Sequence, residues 1–404
     1  MLDRFVKVIS SLRLTVVLLC AGVVLVFLGT LAQVHEGLYE AQTRYFKSWF
    51  VWRPTIAHSR WPILLPGGYL LGTLLMVNLF AAHASRFKFT RKKAGIFLIH
   101  TGIILLLFGQ LLTDLLARES FMRLSTAEGP RHYSENNRRN ELAVIDVTDP
   151  DSDAVVAIPE TLLREKGEIR DPHLPFTIRV REYSPNSVPH LLAPMSGQAR
   201  DDVKGAGKFI RFDSVAVTVK MDERDIPAAT VEIVAEKESL GTWDVSNWIS
   251  EPVLVRLLQR EAGGALKGVL GSPQEFSHGG RTYQIAMRPQ RYYNPFSIHL
   301  LDFTHAVYPG TEIPKDFRSR IRLVHPETGE DREVEVYMNS PLRYDGATYY
   351  QSSFDQNDPR VSILQVVRNP GWLTPYFSCV LVAAGLIVQF LSHLIGFSAK
   401  RKSA

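Results

Sequence analysis

Residues 92–110 read KKAGIFLIHTGIILLLFGQ, and this stretch decides how the chain is understood. A basic doublet, Lys92-Lys93, gives way to apolar and small residues, with one ionisable side chain, His100, in their midst. A run of about 20 apolar residues is what an α-helix needs to cross a hydrocarbon core. An ionisable side chain inside such a run is costly and usually faces a partner, a cavity or a ligand. At 1.5 Å rise per residue, His100 lies roughly 10 Å past Lys93. Two readings of it stand at this point. It is either polar glue between helices, helped by the close approach that Thr101 and Gly102 allow, or a functional group.

Working outward, four stretches have the length and character of spans: about residues 12–33, 62–82, 94–117 and 373–397. The first follows Arg4 and Lys7 as a signal peptide would. Its apolar core is too long for one, and no small-x-small cleavage pattern follows, so a retained anchor is expected. The net charge of +5 is concentrated in short clusters beside these runs: Arg4, Lys7 and Arg13; Arg86, Lys88, Arg91, Lys92 and Lys93; Lys400, Arg401 and Lys402. That pattern speaks to membrane topology and against nucleic-acid binding. The positive-inside rule puts all three clusters in the cytoplasm, with both termini. Residues 118–370 then lie on the outer, periplasmic side of the cell (inner) membrane.

The stretch 118–370 alternates apolar and polar residues in short segments. PFTIRVREY sets Phe176, Ile178 and Val180 on one strand face, and SVAVTVKM, ATVEIVAE and RTYQIAMRP repeat the pattern. Ile321 and Leu323 face Val334 and Val336 across a Glu-Thr-Gly-Glu turn, and Asp345-Gly346 closes a second hairpin. One helix is expected at about residues 247–261, capped by Ser246 or Asp244. The aromatic loop after the first span is expected to lie along the outer membrane–water interface. The expected architecture is an α + β membrane protein: four transmembrane helices with a large β-rich extracytoplasmic domain, sandwich or open barrel, between the third and fourth. Its parts are expected at 1–117, 118–370 and 371–404.

Familiar catalytic frames are missing from the sequence. There is no P-loop, GxSxG, HExxH or zinc-type Cys/His spacing. The two cysteines, Cys20 and Cys379, both fall in apolar runs and make no CxxC. The carboxylates of the outer domain are scattered as on a solvated surface, and no acid/base pair stands out. Of the twelve histidines, His132, His173, His190, His278, His299, His305 and His325 fall in the outer domain without ligand spacing. His35 and His58 fall in the interfacial loop, and His83 and His393 near the cytoplasmic ends of their spans. Only His100 is deep. WDVSNW, residues 243–248, looks faintly like a tryptophan-rich motif, but a strand-to-helix junction with a capping residue accounts for it.

The C-terminal part of the outer stretch carries a resemblance. IPKDFRSRIRL (313–323), VEVYMNSPLRYDGATYYQSSF (334–354) and VVRNPGW (366–372) together resemble the ResB family of System II cytochrome c biogenesis. SLRLTVVLL…LGTLAQ near the N-terminus, LPFTIRVREY (174–183) and the His100-x-Gly102 pattern are similar to that family too. The resemblance implies a partner of the ResC or CcsA type that carries a tryptophan-rich motif and further histidines. Together the two are expected to move haem outward and join it to the CxxCH thiols of apocytochrome c. It also implies that haem in the membrane is held by one histidine from each half, and His100 is the position that matches the first. A neutral imidazole suits this, being a common axial ligand of haem iron, while Arg91, Lys92 and Lys93 could meet the propionates. The chain lacks the tryptophan-rich motif and any CxxC, so it is expected to be one half of a synthase, without a catalytic residue of its own. A thiol–disulfide carrier would keep the apocytochrome thiols reduced. The competing reading is a membrane-anchored outer binding or sensor module, with His100 as packing.

Overall fold

The computed structural model describes residues 2–52, 64–86, 90, 93–192, 200–218, 223–236, 238–261, 270–311, 314–355 and 358–403. Lys88, Arg91, Lys92 and His58 lie outside the described residues.

A short helix, α1 (Leu2–Ile9), leads into α2 (Leu12–Ala41), whose first turn is capped by the Ser11 hydroxyl accepting from Leu14 N at 3.2 Å. α2 is longer than the expected 12–33. It kinks at Gly37 (φ 77°), a backbone angle that favours glycine, and passes into a wide turn over Gln42–Phe46. The interfacial loop is therefore largely helical, then closes as a hairpin of β1 (Phe50–Trp52) and β2 (Leu64–Pro66). This hairpin delays the second apolar helix, α3 (Gly68–Arg86), which opens at Gly68 and not at residue 62. A Cβ at Gly67 or Gly68 would strike the backbone of Ser48 or Phe46, so both glycines are needed where the loop crosses the helix start. α4 (Ala94–Leu116) follows.

The chain then turns to strands: β3 (Arg118–Ser125), β4 (Arg131–Asp146), β5 (Ala154–Pro159), the short α5 (Glu160–Arg164), β6 (Gly167–Ile169), β7 (Thr177–Ser184), β8 (Ser187–Leu191), β9 (Ile210–Ser214), β10 (Ala228–Ala235) and β11 (Glu238–Ser246). After α6 (Asn247–Ser250) and α7 (Pro252–Glu261) come β12 (Gln274–His278), β13 (Arg281–Val307), β14 (Pro314–His325), β15 (Glu330–Tyr337), β16 (Leu342–Tyr344), β17 (Ala347–Asp355) and β18 (Asp358–Arg368). α8 (Thr374–Ser403) ends the order.

The two larger cores share the long strand β13. The order β11-β10-β7-β6 forms one sheet; β15-β14-β13-β4-β3-β18-β17-β16, with β12 on β13 and β5 on β4, forms the other. The first core is a sandwich in which Ile178, Val231, Ile233 and Trp243 of the smaller sheet meet Leu142, Ile285 and Met287 of the larger. The second lies inside the curl of the larger sheet, around Met122, Phe296, Ile321, Leu364 and Tyr349. β13 runs through both cores, giving Ile285 and Met287 to the first and Phe296, Ile298 and Leu300 to the second, and its pairing with β4 shifts register between Pro289 and Arg291 and again between Tyr293 and Ile298. Bulges of this kind bend a strand and let it pass from one core to the next. The sequence poses a sandwich or an open barrel; a sandwich is present, and the second core lies within a curled sheet.

The alternating strands hold: Phe176, Ile178 and Val180 are all buried. Ile321 pairs directly with Val334. Asp345 (φ 46°) and Gly346 (φ 69°) both take the positive angles of a tight hairpin turn. Two expectations change. SVAVTVKM is not a strand over Val215–Thr218, where Thr218 N instead donates to the Asp225 carboxylate at 2.7 Å; residues 219–221 lie outside the described residues. The helix expected over 247–261 is two helices, because Pro252 forces Glu251 into an extended conformation (ψ 127°). Ser246 is its cap; Asp244 is buried and engaged elsewhere.

Four helices, over Leu12–Phe46, Gly68–Ser85, Ala94–Leu116 and Thr374–Ser398, are long and apolar enough to cross a membrane. α4 and α8 pack along a seam of glycines. Gly95, Gly102 and Gly109 are the buried residues of α4, seven apart. A Cβ at Gly95 would come within 2.7 Å of the Gly385 carbonyl, one at Gly102 within 2.9 Å of the Ser378 carbonyl, and one at Gly109 would collide with Thr374. Small residues at such a period let two backbones close up, which is what drives association where helices gain nothing from leaving water. Asn369 Nδ2 donating to Thr113 Oγ1 (3.2 Å) ties the same pair together at the β-domain end. α2 and α3 are joined through buried Asn78, which accepts from Thr15 Oγ1 at 2.6 Å.

Candidate functional site

His100 sits on the side of α4 that meets α3. Gly95, Gly102 and Gly109, with Ile99, face α8, whereas His100 faces α3. Its ring meets His83 of α3 edge-on, with centroids 5.3 Å apart, and His83 in turn lies 5.2 Å from the Phe97 ring. His100 makes no hydrogen bond among the described residues. The polar link between helices that the sequence allowed for it is supplied instead by Asn78 and by the Thr113–Asn369 pair.

His83 entered the sequence reading only as a shallow residue near a helix end. Since α3 and α4 run antiparallel, a residue three before the end of α3 comes level with one seven into α4. The two imidazoles therefore form a pair. The signal that could have found them is their placement on either side of a short basic loop.

The same groove carries a second polar cluster at its other end. Asp114 of α4 accepts from the Tyr69 hydroxyl and pairs with Lys47 at 2.9 Å. It closes a cavity of about 300 Å³ floored by Gly72, Met76, Leu107 and Leu111. Tyr69, Gly72, Met76 and His83 follow helical spacing on one face of α3. At 1.5 Å per residue the two polar stations are roughly 21 Å apart. Lys93, at the start of α4, is exposed.

In the β domain the carboxylates are not simply a solvated surface, and that expectation is corrected. Glu141 and Arg288 form a buried pair at 2.9 Å, where burial pushes the carboxyl above its ordinary range despite the guanidinium. Asp244 is buried too; burial raises it, against the Thr230 hydroxyl and Arg200, which approaches to 2.6 Å. Glu232 goes the other way, held low by the Ser239 hydroxyl and by Arg181 and Arg179. These groups lock strands together. WDVSNW is structural: Trp243 is core, and Trp248 Nε1 donates to the Ser187 carbonyl at 3.0 Å. No group of three or more potential metal ligands occurs among the described residues. Cys20 and Cys379 are free and exposed on α2 and α8.

The arrangement thus defines a class: long apolar helices bearing a histidine pair, joined to a two-core β domain that has no recognisable catalytic constellation among its described residues. Residues 261–363, from the end of α7 into β18, match the model of the ResB-like family. This is the resemblance read from the sequence, and MNSPLRYDGATYYQSSF lies inside the matched segment. Protein NrfI of Wolinella succinogenes is 33% identical over 107 residues, which are 26% of this chain and 12% of that protein. The chain thus covers about an eighth of the length of that relative. His100 lies outside the segment matched by the family model.

Proposed function

We propose that this chain is a ResB-type subunit of a System II cytochrome c biogenesis complex, and that haem is its cargo. The match of residues 261–363 to the ResB-like family is the observation that carries the reading, since it supports a cytochrome c biogenesis role. A role in a complex with membrane partners goes with it. The finer steps are these. The four apolar helices span the cell membrane, with both termini cytoplasmic and the β domain on the outer side. A ResC- or CcsA-type partner supplies a second histidine and the tryptophan-rich surface. Apocytochrome c docks on the β domain, its thiols kept reduced by a separate carrier. The chain itself positions and holds, and it has no catalytic residue assigned.

His100 is the residue proposed to ligate haem iron. Three features fit it to that role: it lies within an apolar helix, it is turned away from the α4–α8 seam, and it makes no hydrogen bond among the described residues. An imidazole free of such bonds keeps a ring nitrogen available to a metal. Haem supplies the iron and two carboxylates. Lys93, exposed about two helical turns before His100, would meet one of those carboxylates.

The test is the absorption spectrum of the chain purified with its ResC-type partner, wild type beside His100→Gly, with imidazole added back. A Soret band weakened in the variant and restored by imidazole supports ligation. Haem retained unchanged removes His100 from the site. Absence of haem from both, with the partner present, favours an outer binding module instead.

A further inference from the structure

The β domain meets the membrane helices at a place with unbalanced charge. Arg118 is the first residue of β3, two past the end of α4; Arg368 is the last of β18, six before α8. The two are direct cross-strand partners in the β3–β18 ladder. Like charges opposite each other destabilise a ladder. Basic residues next to the outer ends of spanning helices also run against the usual distribution. Something must offset both costs.

Part of the offset is internal. Arg368 pairs with Asp345 at 3.2 Å, and a third guanidinium, Arg291, pairs with Glu135 at 3.0 Å. Arg118 has no carboxylate partner among the described residues, and lies 5.2 Å over the ring of Tyr292. Three arginines thus face two carboxylates. These three line a cleft of about 270 Å³ with Tyr292, Asn294 and Tyr349. The Asn294 Nδ2 is buried and makes no hydrogen bond among the described residues. An amide donor buried without an acceptor costs free energy unless a ligand supplies one.

From these observations we infer that the cleft is an anion site that takes the phosphodiester of a membrane phospholipid. A phosphodiester carries one negative charge, which matches the one surplus guanidinium, and it offers the acceptor oxygens that Asn294 and Arg118 lack. The cleft is smaller than the roughly 300–1,000 Å³ of pockets that enclose drug-sized ligands, so it suits a headgroup and not a macrocycle. Its height is right as well. Trp372 and Tyr376, exposed at the start of α8, mark the interfacial belt, with Arg343 lying 4.5 Å over the Trp372 ring. The inference rests on the helices spanning a membrane and is independent of haem.

The test uses the full-length chain in neutral detergent, with phosphatidylglycerol as probe and native mass spectrometry as readout. Wild type is expected to retain one lipid. Arg118→Gln and Asn294→Asp are expected to bind it roughly tenfold more weakly, in line with loss of a charge-assisted bond. Arg360→Gln, about 26 Å away at the other end of β18, is expected to bind as wild type. Asn294→Ser, which removes the donor without adding charge, repeats the test should Asn294→Asp melt lower than wild type. Equal retention by wild type and the cleft variants overturns the site. So does equal weakening by Arg360→Gln, which would mean diffuse attraction. Displacement of the lipid by an equal concentration of inorganic phosphate would overturn the lipid assignment in favour of free phosphate.

Discussion

His83 and His100 lie with ring centroids 5.3 Å apart, edge to face, one from each helix flanking a short basic loop. The contact gives His83 a definite task under the proposed function. A ring packed against a ligating imidazole limits how that imidazole can turn, and groups that orient a metal ligand typically affect affinity by about 10- to 100-fold. His83→Leu is therefore expected to keep a Soret band but bind haem roughly tenfold more weakly. Added imidazole is expected to leave that weakening in place, because His100 still occupies its position. Rescue of His83→Leu by imidazole, as for His100→Gly, would make His83 a ligand in its own right.

The glycine seam makes a prediction with a built-in control. A methyl at Gly102 would come within 2.7 Å of Val382 Cγ2 and 2.9 Å of the Ser378 carbonyl, whereas a methyl at Gly22 on α2 meets nothing within 4 Å. Gly→Ala in a helix interior otherwise favours the helix by about 1 kcal/mol. Gly102→Ala is expected to lower stability by about 1–3 kcal/mol through overpacking, and Gly22→Ala to leave it unchanged or slightly higher. Thermal unfolding in detergent, followed by helical circular dichroism, distinguishes them. Equal melting of the two variants would show that α4 and α8 do not pack along this face.

The buried pair in the β domain is expected to behave asymmetrically. Arg288→Met leaves Glu141 without its cation between β4 and β13, and breaking such a pair typically costs about 3–5 kcal/mol. Replacing both, as Arg288→Met with Glu141→Leu, removes the stranded charge and is expected to recover most of that loss. Denaturant unfolding of the wild type, the single variant and the double variant checks it. A double variant no more stable than the single one would show that the pair's geometry matters more than its desolvation.

Much of this architecture can be read along the chain because the relevant signals are local. Alternation marks Ile178 and Val180, Asp345-Gly346 marks its turn, and His100 stands out against its apolar neighbours. What could not be read depends on distant segments meeting. The seven-residue spacing of Gly95, Gly102 and Gly109 is visible in the sequence, but its meaning depends on α8, which begins more than 250 residues later. Glu141 reads as a surface acid until Arg288 arrives from another strand. β13 reads as several short strands because its bulges interrupt the alternation where it passes between cores. His83 looked shallow for the same reason: its depth alone gives no sign of its neighbour.

The titration of the buried carboxylates has opposite signs at two sites, which separates burial from pairing. Glu141 has a folded-state pKa above its unfolded value of 4.5. Between those values the folded chain binds more protons than the unfolded one, so its stability falls as pH rises through that window. Glu232 has a folded-state pKa below 4.5, so its contribution is fully present above that value and is lost as pH falls through the lower one. Glu141→Gln is therefore expected to gain relative to wild type as pH rises above 4.5, and Glu232→Gln to lose relative to wild type as pH rises toward 4.5 from the acid side. Melting temperatures of the three chains, measured in steps across pH 3–7, read both slopes directly. Slopes of the same sign in the two variants would mean that burial, and not the Ser239 and arginine partners, governs Glu232 as it governs Glu141.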